Sequence, residues 1–317
     1  MDLTWRPLTL DDVPALTSLY AAAEEIDRTG DHFSDEDLRD ELVAPNVDLP
    51  RATIGAFAGD TLVGYGLIRR RDAANPVHMI RLQSVVHPEH RTDAVGTHLV
   101  EWLTRTSREV HERAFPGAPM ELHHGQHQNE RWIAGVFAGA GFTHQRTMVN
   151  MRVGLADLPP QPPLPEGITA EPFDFKYDLA ALDARNDAFA GHWGSTVYGP
   201  DAWRHLVTGS KDFRPDLSFL VLDDDKVLAF VLSHFYESEA AATGIREHYA
   251  TWVGTREVLR GRGVASGLLG HTLLAAKAAG FDRSALNVDV DNAHRALGVY
   301  ERCGFRVDDE WHVYVLS

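Results

Sequence analysis

Cysteine and lysine are nearly missing from this 317-residue chain: Cys303 is the sole cysteine, and lysine stands only at positions 176, 211, 226 and 277. One thiol excludes an intramolecular disulfide and fits a reducing compartment. Arginine fills the other basic positions, a skew that points to genome composition rather than to mechanism. No stretch approaches the roughly 18 apolar residues of a membrane-spanning helix. Met1-Asp2-Leu3-Thr4-Trp5 lacks the basic and apolar regions of a secretory signal. A cytoplasmic protein with no membrane partner is the expectation. Positive charge is also short: 46 acidic against 30 basic residues give a formal net charge of −16. That balance disfavours a surface tracking nucleic-acid phosphates. It suits either a solvated surface or a cationic substrate.

Several motifs are missing too. There is no Gly-x-x-x-x-Gly-Lys-Ser/Thr. Gly261-x-Gly263-x-x-x-Gly267 sets its last glycine one residue late for a dinucleotide fingerprint. His123, His124 and His127 stand near Glu121, but no cysteine or His-Glu-x-x-His pattern supports them, so no metal is expected.

What is present is a globular composition, 44% hydrophobic and 24% charged. The length allows two domains of about 150 residues. The most informative stretch is Arg260-Gly261-Arg262-Gly263-Val264-Ala265, after a strand-like run and at the start of a helical one. Glycines there let the main chain approach an anion, and the first helical N–H groups are free to bind it. Tyr300-Glu301-Arg302-Cys303-Gly304-Phe305 then places a phenol near the end of another helix. A phosphate cradle with a phenol suggests group transfer from a phosphate-bearing donor.

The chain repeats itself once. Asn129, Phe137 and Gly141-Phe142 recur as Asn292, Tyr300 and Gly304-Phe305, each offset by 163 residues. Arg91-Thr92-Asp93-Ala94-Val95-Gly96 precedes Arg260 to Ala265 by 169. Between the copies, positions 158–165 hold five prolines, which form neither helix nor central strand and read as an extended linker. The expected division is residues 1–155, a linker at 156–167, and residues 168–317. Each half reads as strand, helix, a β-hairpin, a long strand, helix, strand, helix and a closing strand. The long strands are 78–86 and 247–255, and the closing strands 147–153 and 309–316. This is an α/β (α+β) layout with a mixed central sheet flanked by helices in each half.

The paired motifs resemble the GCN5-related N-acetyltransferase (GNAT) family. Its Arg/Gln-x-x-Gly-x-Gly/Ala cradle is matched by Arg260, Gly263 and Ala265, and its Asn-helix-Tyr-x-x-x-Gly-Phe signature by Asn292, Tyr300, Gly304 and Phe305. In length, weak first half and proline linker, the chain is most similar to the mycothiol synthases among tandem members. The resemblance implies two tandem GNAT domains, a degenerate first and a catalytic second. It implies transfer of an acetyl group from acetyl-CoA (coenzyme A) to a primary amine of a small molecule, by direct attack. Val253, Gly254 and Thr255 would run beside the pantetheine arm. Arg260, Gly261, Arg262, Gly263, Val264, Ala265 and Ser266 would wrap the pyrophosphate, and Asn292 would hold the cofactor further along. Tyr300 would be the general acid. Mycothiol synthases usually carry a glutamate at the position of Tyr249, a departure that leaves the acceptor open. Glu247, two residues earlier on the same strand face, would be the base, directly or through water.

In the first half Phe137 replaces the tyrosine, and the cradle has Ala94 and an adjacent Asp93. No catalysis is expected there, though Val85, Val86, His87, Arg91, Ala94, Val95 and Gly96 form a candidate second cofactor site. His192 and Trp193 lie where GNAT domains recognise substrate. A monomer or homodimer is expected. The competing class is a non-catalytic acyl-CoA sensor, which would keep the cradle and ignore Tyr300.

Overall fold

Apolar residues at three- and four-residue steps, Val13, Leu16, Leu19 and Ala23, give the first long helix one buried face. The computed structural model describes residues 3–292 and 296–317. Its strands are β1 (Thr4–Arg6), β2 (Thr53–Ala58), β3 (Thr61–Ala74), β4 (His78–Val86), β5 (Met120–His127) and β6 (Thr143–Gly154). Then come β7 (Glu171–Pro172), β8 (Phe219–Asp223), β9 (Lys226–His234), β10 (Glu247–Thr255), β11 (Arg283–Asp289) and β12 (Arg306–Leu316). The helices are α1 (Val13–Asp27), α2 (Asp35–Leu42), α3 (Leu49–Ala52), α4 (Asp93–Ala114) and α5 (Arg131–Gly139). They continue as α6 (Asp178–Ala188), α7 (Pro200–Trp203), α8 (Glu237–Thr243), α9 (Val264–Ala278) and α10 (Ala296–Arg302). The sequence pattern starts the last helix at 293, but residues 293–295 lie outside the described ones.

Contacts divide the chain into two units, Met1–Arg146 with Trp311–Ser317, and Thr147–Glu310. The first unit carries the strand order β1-β2-β3-β4-β5-β12, antiparallel except for the parallel pair β4·β5. One sheet face packs Ile54, Ile68, Ile80 and Leu122 against Leu99 and Leu103 of α4 and Phe137 of α5. The other packs Phe57, Tyr65 and Leu67 against Leu16 and Leu19 of α1 and Leu38 of α2. Both faces are thus covered, which a sheet with a parallel pair requires.

The second unit repeats the plan with the order β6-β11-β10-β9-β8-β7, again with one parallel pair, β10·β11. Leu268, Leu269 and Leu273 of α9, with Cys303 and Phe305, cover one face. Ala181 and Leu182 of α6, Trp203 and Val207 cover the other against Leu220, Phe230 and Leu232.

The closing strands differ from the sequence reading. Residues 148–154 of β6 pair with β11 in the second unit, and Trp311–Leu316 of β12 pair with β5 in the first. Each closing strand therefore serves the unit built from the other half. Alternation of Val149, Met151 and Val153 predicts a strand with one buried face, and those side chains do enter the second unit's core. Alternation cannot say which sheet a strand joins.

The proline run also differs from a free spacer. A Cβ on Gly267 would come within 2.7 Å of the Pro163 carbonyl oxygen and 2.8 Å of Leu164 Cα. A Cβ on Gly270 would come within 3.0 Å of Gln161 Cβ. The run lies along α9, with Leu158 and Leu164 packed on the core. Gly267, the glycine out of step with a dinucleotide motif, is a packing residue.

Candidate active site

β10 and β11 share three rows, Glu247↔Arg283, His248↔Ser284 and Tyr249↔Ala285, and then part. Beyond Tyr249, β10 pairs only with β9. Its other edge turns backbone N–H and C=O groups into an open wedge, as an unpaired strand edge must. His248 pins the strands where they part. Its Nδ1 lies 2.8 Å from Ser284 Oγ on β11 and its Nε2 2.8 Å from Ser233 Oγ on β9. Burial lowers the ring to about 3, so it stays neutral and bridges three strands. A β-bulge follows between Ala250 and Trp252 and adds twist where the strands diverge.

The end of β10 carries Val253, on the core side, then Gly254 and Thr255. A Cβ on Gly254 would meet the Phe230 ring at 2.2 Å, so close packing requires the glycine. Thr255 Oγ is buried with no hydrogen-bond partner, an unusual state for a hydroxyl in a native fold. The turn beyond holds Gly261 (φ 74°) and Gly263 (φ 81°) in the left-handed region. Nothing lies within 4 Å of a Cβ at either. Conformation, not crowding, demands these two glycines. Gly263 caps α9 without a side-chain hydrogen bond, and no acidic residue occupies the first turn. The 15-residue α9 therefore starts with first-turn N–H groups that no capping side chain takes, at the positive end of the helix. Arg260, Gly261 and Arg262 are exposed, Val264 and Ser266 are buried, and Ala265 is half-buried. The Arg260 guanidinium donates to the carbonyls of Thr255 (3.1 Å) and Ala188 (3.2 Å), bracing the turn.

Tyr300, on α10, is 8% exposed and belongs to the core cluster. Burial, with a smaller effect of Cys303, pushes its hydroxyl up to about 12. Cys303 Sγ donates to the Ser266 carbonyl oxygen at 3.6 Å, tying α10 to the first turn of α9. Its thiol is fully buried and raised to about 11 by that burial, which leaves it an unreactive filler. Asn292 closes a turn through its backbone N–H to the Asp289 carbonyl (3.1 Å), just before the residues that are not described.

The other sheet face carries charge. The Glu247 carboxylate accepts from Arg152 Nε at 2.9 Å and forms an ion pair with Arg283. Arg152 also reaches Asp308, and Asp309 at 2.9 Å. Burial works against the Arg152 charge, but Glu247, Asp309 and Asp308 outweigh it and hold the guanidinium protonated. Asn150 donates to Asp309 and accepts from Asn287, each at 2.8 Å. Register puts Glu247, Arg283, Asn287, Arg152 and Asn150 on one face, beside Tyr249. Burial raises the Tyr249 phenol well above its ordinary value. Sequence reading found Glu247 and Tyr249 but missed Arg152, Arg283 and the two asparagines. Their one signal is polar residues alternating with apolar ones on β6 and β11.

His192 and Trp193 sit in the segment after α6. Arg185 of α6 is 2% exposed and stacks over Tyr198 (4.1 Å) and Trp252 of β10 (4.6 Å), while donating to the Thr196 carbonyl at 2.6 Å. Phe189 packs edge-on against Trp252 at 5.1 Å. One buried cation thus fastens the whole segment to β10.

The first unit's counterpart is built differently. β4 and β5 share five rows, from His78↔Met120 to Leu82↔His124, so their wedge opens later. Arg91 is held by both Asp27 carboxylate oxygens (2.8 and 2.5 Å) and by the Val86 carbonyl. Asp93 occupies the first turn of α4, and Thr92 caps it at Val95 N–H. His87 accepts from Glu89 N–H, and Ala94 is exposed. A Cβ on Gly96 would strike Val136 at 2.8 Å, so this glycine serves α4–α5 packing. The crevice left by Val85, Val86, Asp27, Arg91 and Glu130 measures about 10 Å³, hardly room for one water. The nearby histidines are engaged: His123 with Glu121 (2.8 Å), and His124 with Ser84 (3.0 Å) and the Phe137 ring.

Comparison with known proteins fits this geometry. Residues 180–305 match the family model described as "Acetyltransferase (GNAT) family". The chain is 34% identical over 256 residues to a mycothiol acetyltransferase of Streptomyces avermitilis, covering 78% of this chain and 74% of that protein. A GCN5-related N-acetyltransferase from Sphaerobacter thermophilus superposes with a TM-score of 0.77 at 24% identity, covering 99% of this chain and 95% of the other. A tandem GNAT protein from the clavulanic acid biosynthesis pathway superposes with a TM-score of 0.66 at 15% identity, covering 99% and 98%.

Proposed function

Because this chain belongs to the acetyltransferase (GNAT) family and is an acyltransferase of tandem GNAT fold, we propose that its second unit moves an acetyl group from acetyl-CoA to a primary amine of a small molecule. The observation that carries this reading is the wedge itself. β10 leaves β11 after Tyr249 and runs into a left-handed glycine turn and an uncapped helix N-terminus. The residues present fit coenzyme A. The free edge of β10 at Val253 and Gly254 matches the amides of a pantetheine arm, and the orphan Thr255 Oγ gains a partner. The N–H groups of Gly261 to Ser266 and the positive end of α9 take the pyrophosphate. Arg260 and Arg262 add charge, and Asn292 holds the far side. Bound there, acetyl-CoA supplies an activated thioester.

The chain's residues then have three tasks. The β10 edge fixes the thioester beside the incoming amine. The amine attacks as the neutral base: a C–N bond forms, the C–S bond breaks, and one proton leaves nitrogen for water. Tyr300 donates a proton to the departing sulfur and regains one from water. Its raised pKa keeps it protonated throughout the working range. Glu247, engaged by two guanidiniums, serves to hold Arg152 and Arg283 rather than as the base. With Asp308 and Asp309 it gives the acceptor face two positive and three negative side chains, a balance favouring a cationic acceptor. His192 and Trp193, in the segment that Arg185 and Phe189 fasten to Trp252 of β10, take part in acceptor recognition.

The likeness to mycothiol acetyltransferase supports a mycothiol-type acceptor as a narrower reading. Tyr249, where that resemblance expects glutamate, favours the broader one. Tyr300→Phe tests the chemistry. Turnover should fall about 10²–10⁴-fold with acetyl-CoA affinity unchanged. A protein that binds acetyl-CoA and never turns over with any amine is a sensor.

A further inference from the structure

Thr251 is the unmatched residue of the β10 bulge: Ser233 faces Ala250, Leu232 faces Trp252, and nothing on β9 faces Thr251. It lies two residues past the last row shared with β11, at the mouth of the wedge. Its hydroxyl is 2.8 Å from His234 Nδ1. The other ring nitrogen, Nε2, is 3.3 Å from the Val207 carbonyl oxygen. A carbonyl only accepts, so Nε2 carries the ring proton and Nδ1 offers a lone pair. The Thr251 proton must then point at Nδ1. A hydroxyl has one proton. With it committed, Thr251 Oγ can only accept from anything else. The ring is 3% exposed, and burial lowers it to about 4, so it stays neutral at physiological pH.

We infer that Thr251 accepts the N–H of the attacking amine, and that His234 is a positioning residue that turns the Thr251 proton away from the wedge. The inference rests on the acetyltransferase reading and deepens it. It names what faces the nucleophile in a chain with Tyr249 where a carboxylate is expected. The hydrogen bond aims the nitrogen lone pair at the thioester carbon. The amine proton leaves to water, and His234 stores none.

Acetyl-CoA with S-methyl-L-cysteine amide as probe acceptor tests it through Thr251→Val and Thr251→Ser. Val keeps the shape and loses the oxygen, and Ser keeps the oxygen. The expected result is a kcat/KM for the amine lowered about tenfold in T251V, the loss of one hydrogen bond. T251S should stay within about twofold of wild type, with acetyl-CoA affinity equal in all three. T251V matching wild type overturns the inference and leaves the acetyltransferase reading standing. Absence of acetyl-CoA binding in the wild type overturns both. Nitrogen NMR of labelled histidine supplies a readout free of turnover. His234 should carry its proton on Nε2, and a proton on Nδ1 refutes the inference even where no acceptor is acetylated.

Discussion

Ser84 Oγ and His124 Nε2 lie 3.0 Å apart in the first unit, joining β4 to β5 where their pairing ends. The His124 ring stacks on Phe137 at 3.7 Å, and burial lowers it to about 3. Close by, Arg91 of the degenerate cradle is committed to Asp27, and Asp93 stands in the first turn of α4. Restoring the missing phenol should therefore not restore chemistry. Phe137→Tyr placed in a Tyr300→Phe background is expected to remain as inactive as Tyr300→Phe alone, measured by thiol release from acetyl-CoA. Recovery of activity would assign a working site to the first unit.

Glu130 gives the first unit a pH dependence. Its carboxylate accepts from His127 N–H at 2.6 Å, yet burial, reinforced by Asp27 and Asp31, raises it from 4.5 to about 7. A carboxyl raised in the folded state binds its proton more tightly there than in the unfolded chain. Its stabilising effect is full below about pH 4.5 and is lost as pH climbs through 7. Glu130→Gln keeps an acceptor for His127 and removes the charge. The variant should be more stable than wild type by about 1–2 kcal/mol at pH 8 and indistinguishable near pH 4.5. Denaturant melts at the two pH values decide it, and a loss of stability at pH 8 contradicts the assignment.

Three buried histidines act in the opposite direction. His124 and His248 are lowered to about 3 and His234 to about 4, each chiefly by burial. The folded protein refuses protons that the unfolded chain accepts below about 6.5. Stability should fall as pH drops from 6.5 toward 4, by about 1.4 kcal/mol per unit for each histidine. His248→Gln should weaken that slope. An unchanged acid limb would mean that the ring is protonated in the fold.

Where the proline run crosses Gly267 it presents backbone rather than a side chain that can move. Gly267→Ala places a Cβ 2.7 Å from the Pro163 carbonyl oxygen, and should cost about 1–3 kcal/mol. Gly261→Ala meets no neighbour and strains only the left-handed turn, at about 1 kcal/mol. Thermal melts of the two variants should rank Gly267→Ala as the less stable, and the reverse order would place the run away from α9.

The parts of the fold that the sequence makes legible are those written in local pattern. The 163-residue offset between Asn129–Phe137 and Asn292–Tyr300 reveals the duplication. The glycines at 261 and 263 mark the cradle turn, because only a left-handed backbone demands them in open space. What depends on distant partners is not legible. Val149, Met151 and Val153 announce a strand and not the sheet it borders. Gly96 and Gly263 look alike in sequence, yet one is fixed by Val136 and the other by its own φ. Arg152 lies 95 residues from Glu247, so their hydrogen bond has no local signal. The Thr251–His234 contact depends on a bulge, which alternation cannot foretell.

Calorimetric titration of acetyl-CoA into the intact chain and into Gly263→Asp tests the central claim most directly. The uncapped glycine turn in the second unit, and the Asp93-bearing cradle with Arg91 committed to Asp27 in the first, predict one site per chain. Gly263→Asp should abolish it, by straining the turn and setting a negative charge where the pyrophosphate binds. A site surviving in Gly263→Asp, or no binding in the wild type, would contradict the assignment of donor binding to the second unit.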